Sequence, residues 1–86
     1  MKKRYYTYIL QSSLDSRYYI GASDNIERRF KEHNNGKVFS TKPFVPWILK
    51  YKESFDSLSI ARKRETQLKN WKNRSAIERL INGPIV

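Results

Sequence analysis

Apolar and polar residues alternate in two short runs near the start of the chain. The run RYYTYILQ has a period of two, and RYYIGA is a second aromatic and β-branched run that ends at Gly21. Because the connector SSLDS is short and polar, the two runs predict an antiparallel β-hairpin. A turn centred between Ser13 and Leu14 would place Tyr8 directly opposite Tyr19 on one face of the sheet.

The residues after the hairpin change to helical spacing. Asp24 is a predicted N-cap, with Glu27 as its capping-box partner. The helix should run to about Asn34 or Asn35, where Gly36 ends it.

Four residues of this predicted helix divide into an apolar pair and a polar pair. Ile26 and Phe30 face the core, whereas Arg29 and His33, one turn apart, should lie beside them at the border with solvent. Arg29 could bind a phosphate bidentately, or it could cover the helix edge with its stem. His33 could exchange a proton or simply pack. Both interpretations stay open for each residue at this point.

The middle of the chain predicts a loop and a third strand. NNGKVFSTKPFVP, residues 34–46, contains turn-forming residues and two lysines, and predicts a basic loop without a regular element. PWILKYKES follows as a strand, and Pro46 suits its first position. Along this strand Trp47, Leu49 and Tyr51 should share one face.

The remaining residues predict two helices. Ser57 is a candidate cap for the first, and Ser75 with Glu78 predicts a capping box for the second, which Gly83 and Pro84 would end. The buried face of the first helix consists of apolar residues at helical spacing: Leu58, Ala61, Leu68 and Trp71. The predicted fold is therefore α+β, a three-stranded antiparallel sheet flanked by helices in the order β-β-α-β-α-α.

One carboxylate interrupts that apolar stripe. Glu65 lies four residues after Ala61 and three before Leu68, where an apolar side chain would be expected. A buried carboxylate is costly unless it is paired or binds a metal. An ion pair with one of the many basic residues is one solution, and a divalent cation completed by waters and substrate phosphate is the other.

Composition narrows the class of partner. The 86 residues fit one domain, 1–86, and 18 Lys and Arg against 8 Asp and Glu give a formal charge of +10. Such a charge favours nucleic acid as the partner over a membrane, since no segment approaches the roughly 20 apolar residues of a spanning helix. The chain has no cysteine, which excludes disulfides and thiolate metal sites. Its start does not match a signal peptide, so we expect a cytoplasmic protein.

Several motifs resemble those of the GIY-YIG nuclease superfamily, in particular its small single-domain bacterial members. They are YTY at 6–8, YIG at 19–21, Arg29, His33 and the helical Glu65, together with the HNNGK turn, the PW entry to the third strand and ARKRE. The second half-motif is matched in full, whereas in the first a tyrosine and a threonine replace the glycine and the isoleucine. The family fold has the strand and helix order predicted above.

The resemblance implies metal-dependent phosphodiester hydrolysis, and it implies a role for each matching residue. Tyr8 and Tyr19 would handle the attacking water, Arg29 would stabilise the phosphate, and His33 would be the helix histidine. Glu65 would be the ligand of Mg²⁺ or Mn²⁺. The late asparagine of many family nucleases could be any of three residues: Asn70, Asn73 or Asn82.

The functional expectation is a divalent-metal-dependent endonuclease acting on DNA with weak sequence specificity and no small-molecule cofactor. The alternatives are a nucleic-acid-binding module of the same fold with little or no activity, and a basic ribosome-associated factor. The expected nucleic-acid footprint comprises six basic residues: Arg28, Lys37, Lys42, Arg62, Lys63 and Lys72.

Overall fold

The fold is a three-stranded sheet with helices on both faces, seen in a computed structural model that describes residues 3–83. Its elements are β1 (Tyr5–Ser12), β2 (Tyr18–Ser23), α1 (Ile26–Asn34), a 3-10 turn (Lys42–Phe44), β3 (Trp47–Phe55), α2 (Leu58–Trp71) and α3 (Arg74–Asn82). The sheet is antiparallel, with β1 in the centre between β2 and β3. The predicted element order is confirmed, and the short 3-10 turn is an addition to a segment predicted to have no regular element.

The hairpin register differs from the prediction. Tyr8 pairs with Gly21 and Leu10 pairs with Tyr19, so the turn is centred one residue later than predicted. The last pair of the hairpin is Gln11 with Tyr18, and the hydroxyl of the next residue, Ser12, accepts two backbone N–H groups of the turn at 3.0 and 3.3 Å. A shift of one residue in the turn centre moves the partner of Tyr8 by two, which leaves Tyr8 and Tyr19 on the same face.

Strand β3 changes the face that it buries part-way along. Ile9 pairs with Tyr51, whereas the next residue of β1 pairs with Leu49, so Lys50 is an extra residue of a β-bulge. Tyr51 consequently packs with Ile9, while Leu49 and Trp47 pack on the opposite face. The prediction that all three buried residues of β3 share a face is wrong for Tyr51, because alternation of burial along a strand does not reveal a bulge.

The core consists of two apolar clusters, one on each face of the sheet. The first is formed by Tyr8, Leu10 and Trp47, and Ile26 and Phe30 of α1 pack against it as predicted. The second is formed by residues of β1, α2 and α3: Ile9, Leu68 and Ile77. The alternating residues of β1 thus join the layers on either side of the sheet.

The N-cap of α1 lies one residue later than predicted. The side chain of Asn25 accepts the backbone N–H of Arg28 at 3.0 Å, so Asn25 caps the helix instead of Asp24 and Glu27. Asp24 forms ion pairs with Arg28 and Lys3, each at 3.1 Å. The predicted end of the helix is confirmed, because α1 stops at Asn34 and a glycine with positive φ follows.

The caps of the later helices agree with the prediction in one case of two. Ser57 caps α2 as predicted, accepting the N–H of Ile60 at 3.2 Å. Helix α3 is capped by Asn73, whose extended backbone aims its side chain at the helix end, and not by the predicted Ser75. Gly83 ends α3 as predicted, while Pro84 lies outside the described residues.

The predicted buried face of α2 is confirmed except at its end. Ala61 and Leu68 are buried and Leu58 is half-buried, but Trp71 is exposed. Trp71 is the last residue of the helix, and the guanidinium of Arg64 lies 5.6 Å from its ring centroid. The indole therefore packs against a charged side chain at the surface and not in the core.

Candidate active site

An open cleft of about 420 Å³ lies where α1 and α2 approach the edge of the sheet at β2. Its lining comprises residues of two strands and two helices: Tyr8, Tyr19, Gly21, Ala22, Arg29, Arg62, Glu65 and Thr66. Four of the five predicted catalytic residues are in this lining, although they come from four different elements. The fold therefore brings together Tyr8, Tyr19, Arg29 and Glu65, and a cleft of this size accommodates a substrate group.

Gly21 allows Tyr8 to reach the cleft. A Cβ atom built on Gly21 would lie 2.5 Å from the Tyr8 hydroxyl oxygen and 3.1 Å from a ring carbon of Tyr19. Any side chain at this position would displace the phenol. The glycine of the second half-motif is thus required because the Tyr8 side chain crosses directly over its backbone, and it fixes where the Tyr8 hydroxyl lies.

His33 lies beneath the cleft and not at the surface. It is 0% exposed, so the prediction that it sits at the border with solvent is wrong. The Tyr19 ring packs edge-on against the imidazole, with 4.8 Å between centroids. The loop after α1 also approaches the imidazole, since the hydroxyl of Thr41 lies 2.8 Å from its Nδ1. The helical pattern alone could not show the loop contact, because it joins residues eight positions apart.

The hydrogen bonds around His33 define the direction in which protons are donated. Its Nε2 lies 3.0 Å from the hydroxyl of Tyr8, and Nδ1 lies near Thr41. The Thr41 hydroxyl donates to the carbonyl of Val38 at 3.3 Å, so its oxygen accepts from Nδ1–H. Nε2 is then the unprotonated nitrogen, and Tyr8 donates to it. The chain from Tyr8 through His33 to Thr41 is buried throughout.

The pKa values in this chain favour two neutral groups. Burial raises the pKa of Tyr8 to about 12, with a further contribution from Tyr19, while the nearby Arg29 acts in the opposite direction. Burial, helped by the charge of Arg29, lowers the pKa of His33 to about 4. At neutral pH a protonated phenol therefore faces a neutral imidazole, and the two are joined by a hydrogen bond.

Arg29 is held at the mouth of the cleft by its own helix. Its guanidinium binds Glu32 at 3.0 Å, and this hydrogen bond is the main reason why the pKa of Arg29 is raised. The side chain is 36% exposed, in agreement with its predicted position at the border with solvent. A planar guanidinium has five N–H donors, so one contact with Glu32 leaves donors for a phosphate.

Of the two solutions that the sequence left open for Glu65, the structure shows the ion pair, and the metal stays a prediction. Its Oε2 accepts from Lys69 at 2.7 Å, and its side chain is only 20% exposed. Among the described residues no partner contacts Oε1. Lys69 is half-exposed and lies one turn further along α2, so this pair contributes little to stability.

The residues at the cleft fit a single divalent cation held by one carboxylate. Within residues 3–83 no group of three or more acidic, histidine or cysteine side chains is arranged to hold a metal. Mg²⁺ commonly keeps several waters and uses one or two carboxylates together with substrate phosphate. Glu65, with one oxygen that is not bonded to Lys69 and a polar cleft beside it, could provide such a ligand.

The six predicted nucleic-acid-binding residues are all exposed, and three of them group around the cleft. Arg62 lines the cleft, Lys63 lies beside it, and Arg28 shares an adjoining depression with Arg62. Arg28 is also paired with two carboxylates, which offset its charge. Lys37 and Lys42 lie on the loop after α1, and Lys72 is the left-handed cap at the end of α2. Their role in binding stays a prediction.

Sequence reasoning missed Thr41 and Lys69. Thr41 is 1% exposed and also accepts the indole N–H of Trp47 at its carbonyl, which fixes it beneath the cleft. A threonine in a polar loop carries no signal for such a contact, whereas Lys69 four residues after Glu65 is a recognisable helical pair. The cleft lining includes none of the three late asparagines, and the side chain of Asn73 is used as a helix cap.

Comparison with known proteins identifies the family of this chain. The model of the GIY-YIG catalytic domain matches residues 4–79. This chain belongs to the GIY-YIG family. A UPF0213 protein of Syntrophus aciditrophicus is 40% identical over 81 residues, covering 92% of each chain. The family resemblance seen in the motifs is thereby confirmed.

Two further relatives extend the comparison. The UPF0213 protein VNG_2274C of Halobacterium salinarum is 38% identical over 66 residues, covering 76% of this chain and 84% of its own. The solution NMR structure of the UPF0213 protein BH0048 from Bacillus halodurans has a TM-score of 0.57 and 30% identity, over 92% of this chain and 83% of that one. The α+β fold is shared, but these names state no activity. Within residues 3–83, no helix is both long and apolar enough to cross a bilayer.

Proposed function

We propose that this GIY-YIG protein is a divalent-metal-dependent endonuclease that hydrolyses phosphodiester bonds in DNA, with the whole chain, 1–86, acting as one domain. The observation that carries the proposal is the contact between Tyr8 and a neutral, buried His33 at the floor of a cleft that also contains Glu65 and Arg29. A proton acceptor, a phosphate-binding cation and a metal ligand thus share one site.

The first step is removal of a proton from the attacking water. A phenol with a pKa of about 12 is a poor base by itself, because it holds its own proton at neutral pH. Tyr8 can accept a proton from water if it passes its own to Nε2 of His33, 3.0 Å away. Nδ1–H donates to Thr41, which leaves Nε2 as the acceptor. Because burial lowers the pKa of His33 to about 4, Nε2 is a weak base, so the transfer depends on the acidity that a divalent cation would give the water. Tyr19 would orient the water from the cleft wall.

The second step is attack on phosphorus. The oxygen of the water forms the new P–O bond, negative charge builds on the equatorial oxygens, and the bond to the leaving oxygen breaks. Arg29, at the mouth of the cleft, can donate two N–H groups to these oxygens. The leaving oxygen takes a proton from solvent, which reaches the open cleft. Tyr8 releases to solvent the proton that it took from the water, and His33 then returns its own proton to Tyr8.

A divalent cation bound by Glu65 would neutralise phosphate charge and make the water more acidic. Glu65 would hold such an ion with the oxygen that Lys69 does not occupy. Arg62, on the preceding turn of α2, lines the same cleft and is available for a neighbouring phosphate. The domain offers little surface beyond the cleft for contacts with bases, so we expect weak sequence specificity.

The alternative is a nucleic-acid-binding module of the same fold that does not cut. It remains a candidate because Lys69 neutralises Glu65 and fewer than three metal-binding side chains cluster in the described residues. Both functions predict affinity that falls steeply with salt, because both depend on the basic residues. A cleavage assay therefore distinguishes the nuclease from the binding module.

The test is incubation of the purified protein with labelled single-stranded, duplex and branched DNA and with RNA, in Mg²⁺, in Mn²⁺ and in EDTA. We expect cleavage of DNA in the presence of either metal and none in EDTA. Binding without cleavage of any substrate in either metal would support the binding module, and metal-independent cleavage would reject the role given to Glu65.

A further inference from the structure

Phe39 is the most exposed large apolar residue of the described chain, at 93%. It lies in the loop between α1 and β3, between Lys37 and Lys42. Single exposed apolar residues are common on protein surfaces, so exposure alone decides nothing. The surroundings of Phe39 set it apart from the other exposed apolar residues.

The first of these surroundings is the charge of the segment. Residues 33–52 contain no Asp or Glu, although eight acidic residues are distributed over the rest of the chain. The same stretch contains four lysines: Lys37, Lys42, Lys50 and Lys52. The lysines attract polyanions, and the exposed aromatic ring would contact the polyanion that they bind. A polyanion with apolar faces is complementary to both the lysines and the ring.

The second is the rigidity of the turn that carries the ring. The carbonyl of Val38 accepts the backbone N–H groups of Thr41 and Lys42, at 3.1 and 3.0 Å, and the Thr41 hydroxyl at 3.3 Å. Phe39 and Ser40 form the tip of this closed turn, and Thr41 is buried against His33. The ring is thus mounted on fixed backbone, which lowers the entropy lost when it binds a partner.

The third feature of these surroundings is the short distance between Phe39 and the cleft. Phe39 is two residues from Thr41, so their Cα atoms are at most about 7 Å apart. Thr41 in turn contacts the histidine that binds Tyr8. A nucleic-acid strand whose phosphate occupies the cleft would therefore have neighbouring nucleotides close to this turn.

We propose that Phe39 stacks on an unpaired nucleobase of the substrate strand, so that the protein prefers single-stranded DNA, or DNA with unpaired nucleotides, to continuous duplex. The inference deepens the proposed function by naming the substrate class at the same site. Lys37 and Lys42 bind flanking phosphates, and the ring binds the base between them. A base inside an intact duplex is stacked on both sides and offers the ring no face.

The test compares affinities for matched single-stranded and duplex DNA in EDTA, across a series of salt concentrations. Phe39→Ala should lower affinity for the single strand about tenfold, the usual effect of one base stacked on one aromatic ring, and change duplex binding by less than about twofold. Phe39→Trp should restore binding because it keeps a stacking surface. Ile60→Ala, at an exposed apolar residue of α2 outside the cleft lining, is the matched control and should change neither affinity.

Salt dependence separates stacking from charge. Phe39→Ala should leave the slope of log affinity against log salt unchanged, since a ring releases no counterions, whereas Lys37→Ala should reduce it by roughly 0.7 on a single strand. Equal losses on both kinds of DNA, no loss on either, or a change from dimer to monomer in Phe39→Ala by sedimentation would overturn the proposal.

The use of EDTA separates this inference from the proposed function. A Phe39-dependent preference for single strands in a protein that never cuts would reject the nuclease and keep the stacking contact. Metal-dependent cleavage with no effect of Phe39→Ala on binding would keep the nuclease and reject the contact.

Discussion

Tyr8 and Tyr51 lie on opposite faces of the sheet, and both have a raised pKa. The groups that accept their hydroxyl protons are different. Burial is the largest cause that raises the pKa of both Tyr8 and Tyr51 to about 12. Tyr8 donates to a neutral imidazole and borders the cleft. Tyr51 donates to Glu53 at 2.6 Å, and Glu53 is itself bound by Arg64 at 2.8 and 3.2 Å.

The difference shows that a shifted pKa does not by itself locate a catalytic group. Glu53 is an ionised carboxylate whose pKa is lowered by its hydrogen bonds to Arg64 and Tyr51, so it has little tendency to take the phenolic proton. His33 is also a weak base, because burial lowers its pKa to about 4, so the two networks differ in what they border and not in the strength of the acceptor. The network on the Tyr51 face joins β3 to α2, whereas the one on the Tyr8 face joins a proton acceptor to a cleft.

The largest expected difference is between the carboxylates of Glu65 and Glu53, in their effects on cleavage and on stability. Glu65→Gln should abolish cleavage with little change in melting temperature, because the amide is a poor metal ligand and the exposed pair with Lys69 is worth only about 0.3–0.5 kcal/mol. Glu53→Gln should retain cleavage but lower the free energy of unfolding by about 1–3 kcal/mol, since Arg64 loses its charged acceptor. Cleavage assays and thermal melts of both variants measure this. A large loss of stability in Glu65→Gln would instead indicate a structural role.

The next largest difference should be between the hydroxyls of Tyr8 and Tyr51, in their effect on the cleavage rate. Tyr8→Phe keeps the ring and its packing but removes the group that exchanges a proton, so cleavage should fall by about 10²-fold or more. Tyr51→Phe should leave the cleavage rate unchanged. Single-turnover rates of both variants on one DNA substrate give the comparison, with Tyr19→Phe to test whether the second tyrosine only orients the water. Wild-type rates in Tyr8→Phe would exclude it from the mechanism.

Thr41 should have a smaller effect, because it acts through His33. Thr41→Val keeps the shape but removes the acceptor of Nδ1–H, which favours the other tautomer and weakens the ability of Nε2 to accept a proton. We expect a loss of about tenfold, at the lower end of proton-transfer effects, with a changed pH–rate profile. Thr41→Ser should restore both the cleavage rate and the pH–rate profile. Thr41→Val could instead lose activity without any change in its pH–rate profile, and Thr41→Ser could fail to restore the activity. That result would mean that Thr41 serves only packing.

Stability should depend on pH through His33. Because its pKa is lowered to about 4 in the folded protein from an ordinary 6.5, the unfolded chain binds more protons between these values. The free energy of unfolding should therefore fall as pH drops from 6.5 towards 4, by up to about 3 kcal/mol. Urea unfolding of the wild type and of His33→Gln over this range isolates the contribution. Parallel pH dependence in the two proteins would contradict it.

The sequence predicted the fold well where its signals are local. Strand alternation and helical spacing identified every strand and α-helix in order, because each depends on neighbouring residues. Caps were predicted less well. Asp24 and Asn25 are both good capping residues, and only the backbone geometry selects Asn25.

The site was less predictable because its contacts are long-range. Glu65 was recognised by its place in the apolar stripe, and the roles of Tyr8 and Glu65 were assigned through the family resemblance. No local pattern shows that a loop covers His33 or that a bulge places Tyr51 on the other face. Alternation reports which residues are buried, and it does not report which face buries them.

The central claim is that Tyr8 donates to a neutral His33 that is held in one tautomer by Thr41. His33 is the only histidine of the chain, so its ring nitrogens give a single set of signals in a ¹⁵N NMR titration. We predict a neutral ring with the proton on Nδ1 from pH 8 down to about 5, and protonation only near pH 4. Protonation near pH 6.5, or a neutral ring with its proton on Nε2, would contradict the account.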